Sequence, residues 1–240
     1  SLESQLRMAA AQLVLACLDW SLAGLVLFAL LLGMAISTGF LVLVLTTLWR
    51  QQRHEVGGLG EWSLAFLLMA IWAAVTVTYP QLPQFWFAAT FFSLLLVLSH
   101  LLIYEGLRRF LLLPEFYWPS ILLFSLSLLG MLLAALLAAA PLRYFSASTA
   151  ILCSYLLILL TIRRSREHAV ATGVFTVLAL VMMAGFLYRV GTIIAGETRV
   201  GLYADTGIQM FVNLVFTLFA PMAGLSLVLM VNERVQARLH

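Results

Sequence analysis

Long apolar segments alternate with short polar breaks along the whole chain. An apolar stretch of about 20 residues can cross the hydrocarbon core of a bilayer as a helix. Because backbone polar groups in lipid must be paired within the chain, each apolar segment is predicted to be helical. The pattern predicts an all-α, polytopic membrane protein, a seven-helix transmembrane bundle. The predicted spans are residues 20–49, 62–79, 85–107, 120–140, 145–162, 169–195 and 205–231.

Arginine is distributed unevenly among the polar breaks. Alternate breaks and the C-terminus contain nine arginines: Arg50, Arg53, Arg108, Arg109, Arg163, Arg164, Arg166, Arg234 and Arg238. The other breaks and the N-terminal segment contain only Arg7, Arg143 and Arg199. Cytoplasmic loops of membrane proteins carry the excess of basic residues. This bias predicts that the N-terminus lies outside and the C-terminus lies in the cytoplasm.

The composition excludes several classes of protein. Apolar residues make up 64% of the chain and charged residues only 10%, whereas a soluble domain has roughly 45–50% and about 25%. The net charge of +3 comes from residues next to the membrane, so lipid headgroups rather than nucleic acid are the expected partners. The chain has no lysine, which excludes a retinal Schiff base. Residues 1–19 are an interfacial segment, an extension of the first span or a cloning remnant.

Polar residues inside predicted spans are the best candidates for function, because burying them in lipid is costly. The seventh span carries four such residues at intervals of four on one helix face, namely Asp205, Gln209, Asn213 and Thr217, and Pro221 follows them. The sixth span carries Tyr188, Arg189 and Thr192 at a similar depth. This set predicts an outward-facing ligand pocket. Two alternatives remain open: Arg189 pairs with Asp205, or Arg189 extends to the headgroups while the polar stripe holds helices together.

The third span contains one histidine, His100, on roughly one face with Ser93 and Tyr104. We include His100 among the candidate ligand-binding residues. It is alternatively a proton-responsive group, a haem or metal ligand, or a hydrogen-bonded structural residue. No other predicted span contains a histidine, so neither a metal nor a cofactor is expected. Glu105 precedes Arg108 and Arg109 by three and four residues, which is the spacing of helix-end ion pairs.

The C-terminal end has the spacing of a short coiled coil. Apolar residues and one asparagine recur at intervals of three and four across the membrane exit: Leu225, Val228, Asn232, Val235 and Leu239. A single asparagine in such a seam sets the register of a dimer. We therefore expect Pro221, Asn232 and Val235 to take part in signal transmission, residues 232–240 to begin a linker helix, and the chain to be a homodimer. A frayed helix end is the alternative.

Small residues at four-residue spacing in the first and seventh spans predict close helix contacts, as in Ala29 with Gly33, Ala35 with Gly39 and Ala220 with Gly224.

Three segments resemble the N-terminal seven-transmembrane sensor region of bacterial GGDEF-type diguanylate cyclases. The first is LWRQQRHEVGGLGEWSLAFLL at residues 48–68, where a basic span end and a glycine turn lead into the second span. The second is LLIYEGLRRFL at residues 101–111, which a proline follows. The third is LMVNERVQARL at residues 229–239, where the family continues into a linker helix and the cyclase domain. This chain contains no G-G-D-E-F sequence, so it is not expected to be an enzyme itself.

The resemblance implies a sensor domain of a multi-pass protein in the bacterial inner membrane. Such a domain binds a small ligand or lipid and regulates a C-terminal cytoplasmic output domain, a diguanylate cyclase that makes cyclic-di-GMP. A small seven-span solute transporter, using the same polar residues as a substrate site, is the main alternative. A membrane enzyme acting on lipid is a third possibility, for which the sequence offers no catalytic constellation.

Overall fold

The computed structural model contains seven helices and, within the ranges that it describes, no strands. The described residues are 22–52, 56–78, 86–114, 117–137, 139–165, 170–196 and 207–239, without the side chains of residues 207–213 and some others at helix ends. The helices are α1 (Leu22–Gln52), α2 (Leu59–Thr78), α3 (Trp86–Phe110), α4 (Trp118–Leu136), α5 (Ala140–Ser165), α6 (Val170–Ile194) and α7 (Gly207–Leu239).

Each helix contains a segment that is long and apolar enough to cross a membrane. Large apolar side chains also cover the outside of the bundle; Phe87 and Leu136 are 85% and 82% exposed. Such a surface is unfavourable in water and favourable against lipid chains. The chain is therefore a multi-pass membrane protein, and the predicted seven-helix bundle is confirmed.

Six of the helices form a closed ring. Going round it, α1 packs on α2, α2 on α3, α3 on α5, α5 on α6, α6 on α7, and α7 on α1. Helix α4 lies outside this ring against α3 and α5. The contact between α7 and α1 is close because Gly224 faces Leu41, where a Cβ atom would collide with the leucine side chain. The ring encloses a core that includes Met34, Phe66 and Phe175, each fully buried.

Consecutive helices run in opposite directions, so the described arginines are divided between the two ends of the bundle. We call one the basic end; it contains Arg50, Arg108, Arg109, Arg163, Arg164 and Arg234. The other, which we call the opposite end, contains Arg143 in the first turn of α5 and Arg189 near the last turn of α6.

The start of α5 differs most from the prediction. The sequence assigned residues 141–144 to a polar break, but α5 already begins at Ala140 and includes Pro141 and Arg143. Proline is compatible with the first turn of a helix, because the N–H that it lacks would have no partner there. Helix α7 continues past residue 231 to Leu239 as a single 33-residue helix, which agrees with the helix predicted to begin at residue 232.

The end of α3 shows why the basic end turns sharply. Leu112 has a positive φ of 53°, and its N–H donates to the carbonyl of Arg109 while the N–H of Leu113 donates to the carbonyl of Arg108. This is the Schellman arrangement, in which the left-handed residue is usually glycine. Pro114 follows, and it prevents the helix from continuing.

Candidate functional site

Two arginines at the opposite end approach the same aromatic ring. The guanidinium carbon of Arg143 lies 5.0 Å from the centre of the Tyr144 ring, and that of Arg189 lies 5.3 Å from it. One Nη atom of Arg143 also donates a long hydrogen bond of 3.4 Å to the Tyr144 hydroxyl. Helices α5 and α6 therefore bring Arg143, Tyr144 and Arg189 together, and we call these three residues the arginine–tyrosine site.

The arginine–tyrosine site concentrates positive charge. Because both guanidinium groups lie near one ring, they are at most about 10 Å apart, and at an effective dielectric constant of 20 their repulsion is then at least about 1.6 kcal/mol. Arg143 is only 2% exposed, so water screens this repulsion poorly. The first turn of α5 adds the partial positive charge of a helix N-terminus. Cation–π contacts with Tyr144 offset part of the cost.

The described contacts do not bring the other residues predicted for the ligand pocket into the arginine–tyrosine site. Tyr188 is 47% exposed on the outside of α6, next to Arg189 in sequence but pointing to the bundle surface. The Thr192 hydroxyl donates to the backbone carbonyl of Arg189 at 2.9 Å, so its hydrogen bond lies within α6. Asp205 lies outside the described residues, and Gln209 and Asn213 lie in the described backbone of α7 with side chains outside the description.

His100 belongs to an aromatic cluster inside the ring of helices. Its Nδ1 atom lies 2.7 Å from the carbonyl oxygen of Leu96, one turn earlier on α3. Its ring meets Tyr155 of α5 edge-on at 5.5 Å and Phe186 of α6 at 6.5 Å. Phe219 of α7 meets Tyr155 at 5.3 Å. Phe186 precedes Arg189 by three residues on α6, so the cluster lies about one helical turn from Arg189.

Tyr155 is the polar group at the centre of this cluster. It is fully buried, and its hydroxyl has no hydrogen-bond partner among the residues that the structure describes. A buried hydroxyl without a partner costs about 1–3 kcal/mol.

The described residues contain no group of three histidine, cysteine, aspartate or glutamate side chains arranged to hold a metal ion.

The basic end contains a tightly packed junction between α2 and α3. The Trp62 indole donates to the backbone carbonyl of Ile103 at 3.2 Å, and its ring lies 5.4 Å from that of Phe110. Gly58 has a positive φ of 89° and faces the Gly106 carbonyl so closely that a Cβ atom would collide with it. A Cβ atom on Gly106 would likewise collide with the Trp62 ring. The two glycines let the turn before α2 lie directly against α3.

Ion pairs reinforce the same junction. Arg108 pairs with Glu105 at 2.7 Å, as the sequence predicted, and it donates to the carbonyl of Pro114 at 3.1 Å. The Glu105 carboxylate also accepts a hydrogen bond from the Ser120 hydroxyl at the start of α4. Arg109 pairs instead with Glu61 of α2.

The last helix joins this junction through Arg234. A guanidinium Nη atom of Arg234 donates to the backbone carbonyl of Phe110, and the guanidinium carbon lies 4.7 Å from the Phe110 ring. The carbonyl groups at the end of a helix have no partner within the helix, so a cation satisfies them well. The exit of α7 is therefore attached to the end of α3.

The residues predicted for signal transmission lie on different sides of α7. Pro221 is half-buried inside a helix that continues through it. Asn232 is exposed, as is Leu225 one heptad earlier, whereas Val228 and Val235 pack against the core of the bundle. Only part of the predicted coiled-coil seam therefore faces away from the bundle.

The sequence pattern did not indicate four members of these clusters: Arg143, Tyr144, Tyr155 and Arg234. Arg143 and Tyr144 were assigned to a loop, although a tyrosine beside an arginine at the edge of a span is compatible with cation–π stacking. Arg234 was counted only as a basic residue near the membrane. Comparison of the chain with protein-family models, curated proteins and solved structures found no match.

Proposed function

We propose that this chain is the membrane-embedded input domain of a bacterial inner-membrane signalling protein. It binds a small ligand or lipid at its outer end and regulates a C-terminal cytoplasmic output domain, a diguanylate cyclase, through α7. The basic end faces the cytoplasm, because the polar breaks and the terminus on that side contain nine arginines, whereas the breaks and the terminus on the other side contain three. The arginine–tyrosine site then faces outward. The proposed working unit is a homodimer, the commonest symmetric assembly.

The observation that carries the proposal is the meeting of three sequence segments at the basic end. Residues 48–68, 101–111 and 229–239 are the segments that resemble the sensor regions of GGDEF-type cyclases. Trp62 of the first contacts Ile103 and Phe110 of the second, and Arg234 of the third contacts Phe110. The resemblance thus falls on one structural junction, placed where α7 leaves the membrane. Such a junction suits a domain that transmits a change in helix packing to an output domain after α7.

Helix α7 provides the physical connection between the two ends. It begins beside the end of α6 that carries Arg189 and continues without a break to Leu239. Within the bundle the Ser226 hydroxyl donates to the carbonyl of Ala171 of α6 at 2.9 Å. Pro221 lies between the two ends, and proline removes one hydrogen bond from the helix interior. A ligand that prefers one packing of α6 and α7 therefore shifts the position of the α7 exit.

The ligand must supply enough free energy to move this equilibrium. A change from 1:99 to 99:1 requires a preference of about 5.5 kcal/mol for one state. Hydrogen bonds to charged groups contribute about 1.5–3 kcal/mol each. Two guanidinium groups contacting one ligand in only one of the two states would therefore supply most of the required difference.

The test is the output of the full-length natural protein in cells. Cyclic-di-GMP is measured across growth conditions for the wild type, for Arg189→Ala and for Arg163→Ala, an exposed arginine at the basic end. We expect the wild type and Arg163→Ala to vary together and Arg189→Ala to remain constant. An Arg189→Ala protein that responds like the wild type contradicts the proposal, as does a full-length protein without cyclase activity.

The orientation has a separate test. After Cys17 and Cys153 are replaced by serine, a single cysteine is introduced at Ala237 and intact cells are treated with an impermeant maleimide. We expect labelling only after the membrane is opened. Labelling in intact cells would place the end of α7 outside and would remove the basis for a cytoplasmic output domain. Uptake of a solute by liposomes containing the protein would favour the transporter instead.

A further inference from the structure

The arginine–tyrosine site has a charge and a shape that define the chemistry of its ligand. Each guanidinium presents five N–H donors in a planar fork. The ring contacts and the hydrogen bond from Arg143 to the Tyr144 hydroxyl use only part of the ten donors of the two forks. Arg143 and Arg189 approach Tyr144 from two different helices. Two forks brought together in this way match the several oxygen atoms of a phosphate group.

A buried donor in the arginine–tyrosine site supports an anionic ligand. The Nε atom of Arg189 is buried without a hydrogen-bond partner among the described residues. The N-terminus of α5, a 26-residue helix, adds a positive partial charge beside Arg143.

The depth of the site matches the headgroup region of a bilayer. Arg143 is three residues from the start of α5, which is about 4.5 Å along the helix. Arg189 is five residues from the end of α6, which is about 7.5 Å. The 25 residues of α6 span about 37 Å, whereas the hydrocarbon core is about 30 Å thick. Both guanidinium groups therefore lie close to the boundary where lipid phosphates are found.

We infer that the arginine–tyrosine site binds a phosphate group, carried either by a phospholipid or by a dissolved ligand, between the guanidinium groups of Arg143 and Arg189. The inference rests on the ligand site of the proposed function and adds the chemical class of the ligand. Arg143 and Tyr144 become ligand-binding residues in addition to Arg189. The competing internal partner is a carboxylate of the same chain, for which the spacing of polar residues in the seventh span suggests Asp205.

The experiment measures binding to the purified chain without any output domain. The protein is delipidated in a phosphate-free maltoside detergent and titrated with short-chain phosphatidylglycerol, with inorganic phosphate, or with a diacylglycerol of the same chain length. Complexes are counted by native mass spectrometry, and thermal unfolding is followed in parallel. The variants are Arg143→Gln, Arg189→Gln and Asp205→Asn, with Arg163→Gln as the same substitution at the basic end.

We expect a phosphate-bearing probe to bind the wild type, and the phosphate-free diacylglycerol not to compete with it. Arg143→Gln and Arg189→Gln should each weaken binding about tenfold or more, the effect of losing one charge-assisted hydrogen bond. Arg163→Gln should stay within about twofold of the wild type. Binding of phosphatidylglycerol alone identifies a lipid headgroup, and binding of inorganic phosphate identifies a dissolved ligand. Where Arg189→Gln does not fold, Arg189→Lys replaces it and should bind with intermediate affinity, because it keeps the charge and loses the fork.

Two results would overturn the inference. One is binding that survives both arginine substitutions unchanged. The other is a wild type that binds neither phosphate-bearing probe, while Asp205→Asn acquires binding, because an internal carboxylate then occupies the site. Neither result depends on cyclic-di-GMP output. A failure of this inference is therefore distinguishable from a failure of signal transmission through α7.

Discussion

Replacing Glu105 by glutamine should destabilise the bundle far more than the same substitution at Glu61. Glu105 and Arg108 form an ion pair in which the two side chains are 11% and 4% exposed. Glutamine keeps the shape and an oxygen that can accept the Ser120 hydrogen bond, but it leaves the charge of Arg108 buried without its counter-ion. In the pair formed by Glu61 and Arg109, the arginine is 44% exposed and water can solvate it.

The size of the stability loss in Glu105→Gln depends on the contacts that Arg108 keeps. Breaking a buried ion pair by removing one partner costs about 3–5 kcal/mol. Arg108 keeps its hydrogen bond to the Pro114 carbonyl and its stacking on Tyr117, with the guanidinium carbon 4.8 Å from the ring centre. These contacts offset about 1 kcal/mol. We therefore expect Glu105→Gln to cost about 2–4 kcal/mol of unfolding free energy, and Glu61→Gln to cost at most about 1 kcal/mol.

The assay is equilibrium unfolding in mixed micelles, followed by the fluorescence of tryptophan, because Trp62 is fully buried beside this junction. A double-mutant cycle isolates the pair. The combination Glu105→Gln with Arg108→Met leaves no buried charge, so it should be less destabilised than the sum of the single variants by about 2 kcal/mol. Equal effects of Glu105→Gln and Glu61→Gln, or additive effects in the cycle, would show that the buried charge of Arg108 is not the cause of the lost stability.

Four further changes have defined expectations in the same unfolding assay. Gly58→Ala should cost more than about 2 kcal/mol, because it combines a positive φ with a backbone collision. Leu112→Gly should stabilise by about 1 kcal/mol, because it relieves a left-handed leucine. Tyr155→Phe should be neutral or stabilising by up to about 1 kcal/mol, because it removes a buried hydroxyl without a described partner. Arg234→Gln should cost about 1–2 kcal/mol and increase amide hydrogen exchange in the last turns of α7.

Each of these expectations has a control or a contradicting result. Gly173→Ala places a Cβ atom in open space within α6, so it should stabilise slightly where Gly58→Ala destabilises. A destabilising Leu112→Gly would mean that the leucine makes contacts worth more than its backbone strain. A loss of stability in Tyr155→Phe would show that the hydroxyl has a partner. Unchanged hydrogen exchange in Arg234→Gln would show that Arg234 does not attach the end of α7 to α3.

The sequence predicted the number and the approximate positions of the helices because hydropathy alone decides which segments cross a bilayer. It placed the start of α5 five residues late because Pro141 and Arg143 look like a loop, whereas a helix tolerates both in its first turn. Among the three glycines of the small-residue pairs, Gly224 marks a close contact, against Leu41. Gly33 and Gly39 have open space beside them, and no spacing rule distinguishes these cases.

The candidate sites depended on contacts between helices, which a single sequence does not specify. The pairing of Glu105 with Arg108 was predictable because it is local. The pairing of Arg109 with Glu61 joins residues 48 positions apart, and it displaces the equally plausible partner Glu105. Arg189 was a candidate because it is a charge inside a span. Tyr144, which it approaches, became part of the site only through the packing of α5 on α6.

The closure of the ring between α1 and α7 determines the order in which this protein can be assembled. The surface of α1 around Leu41 receives its partner only when Gly224 has been synthesised and inserted. Until then α1 to α6 form an open arc whose two edges face lipid. Because Gly224 follows Leu41 by 183 residues, ribosomal synthesis at about 5–20 residues per second leaves this surface of α1 without its partner for roughly ten seconds or more. During that time a second nascent chain could fill the gap, so closure competes with exchange of the last helix between neighbouring copies.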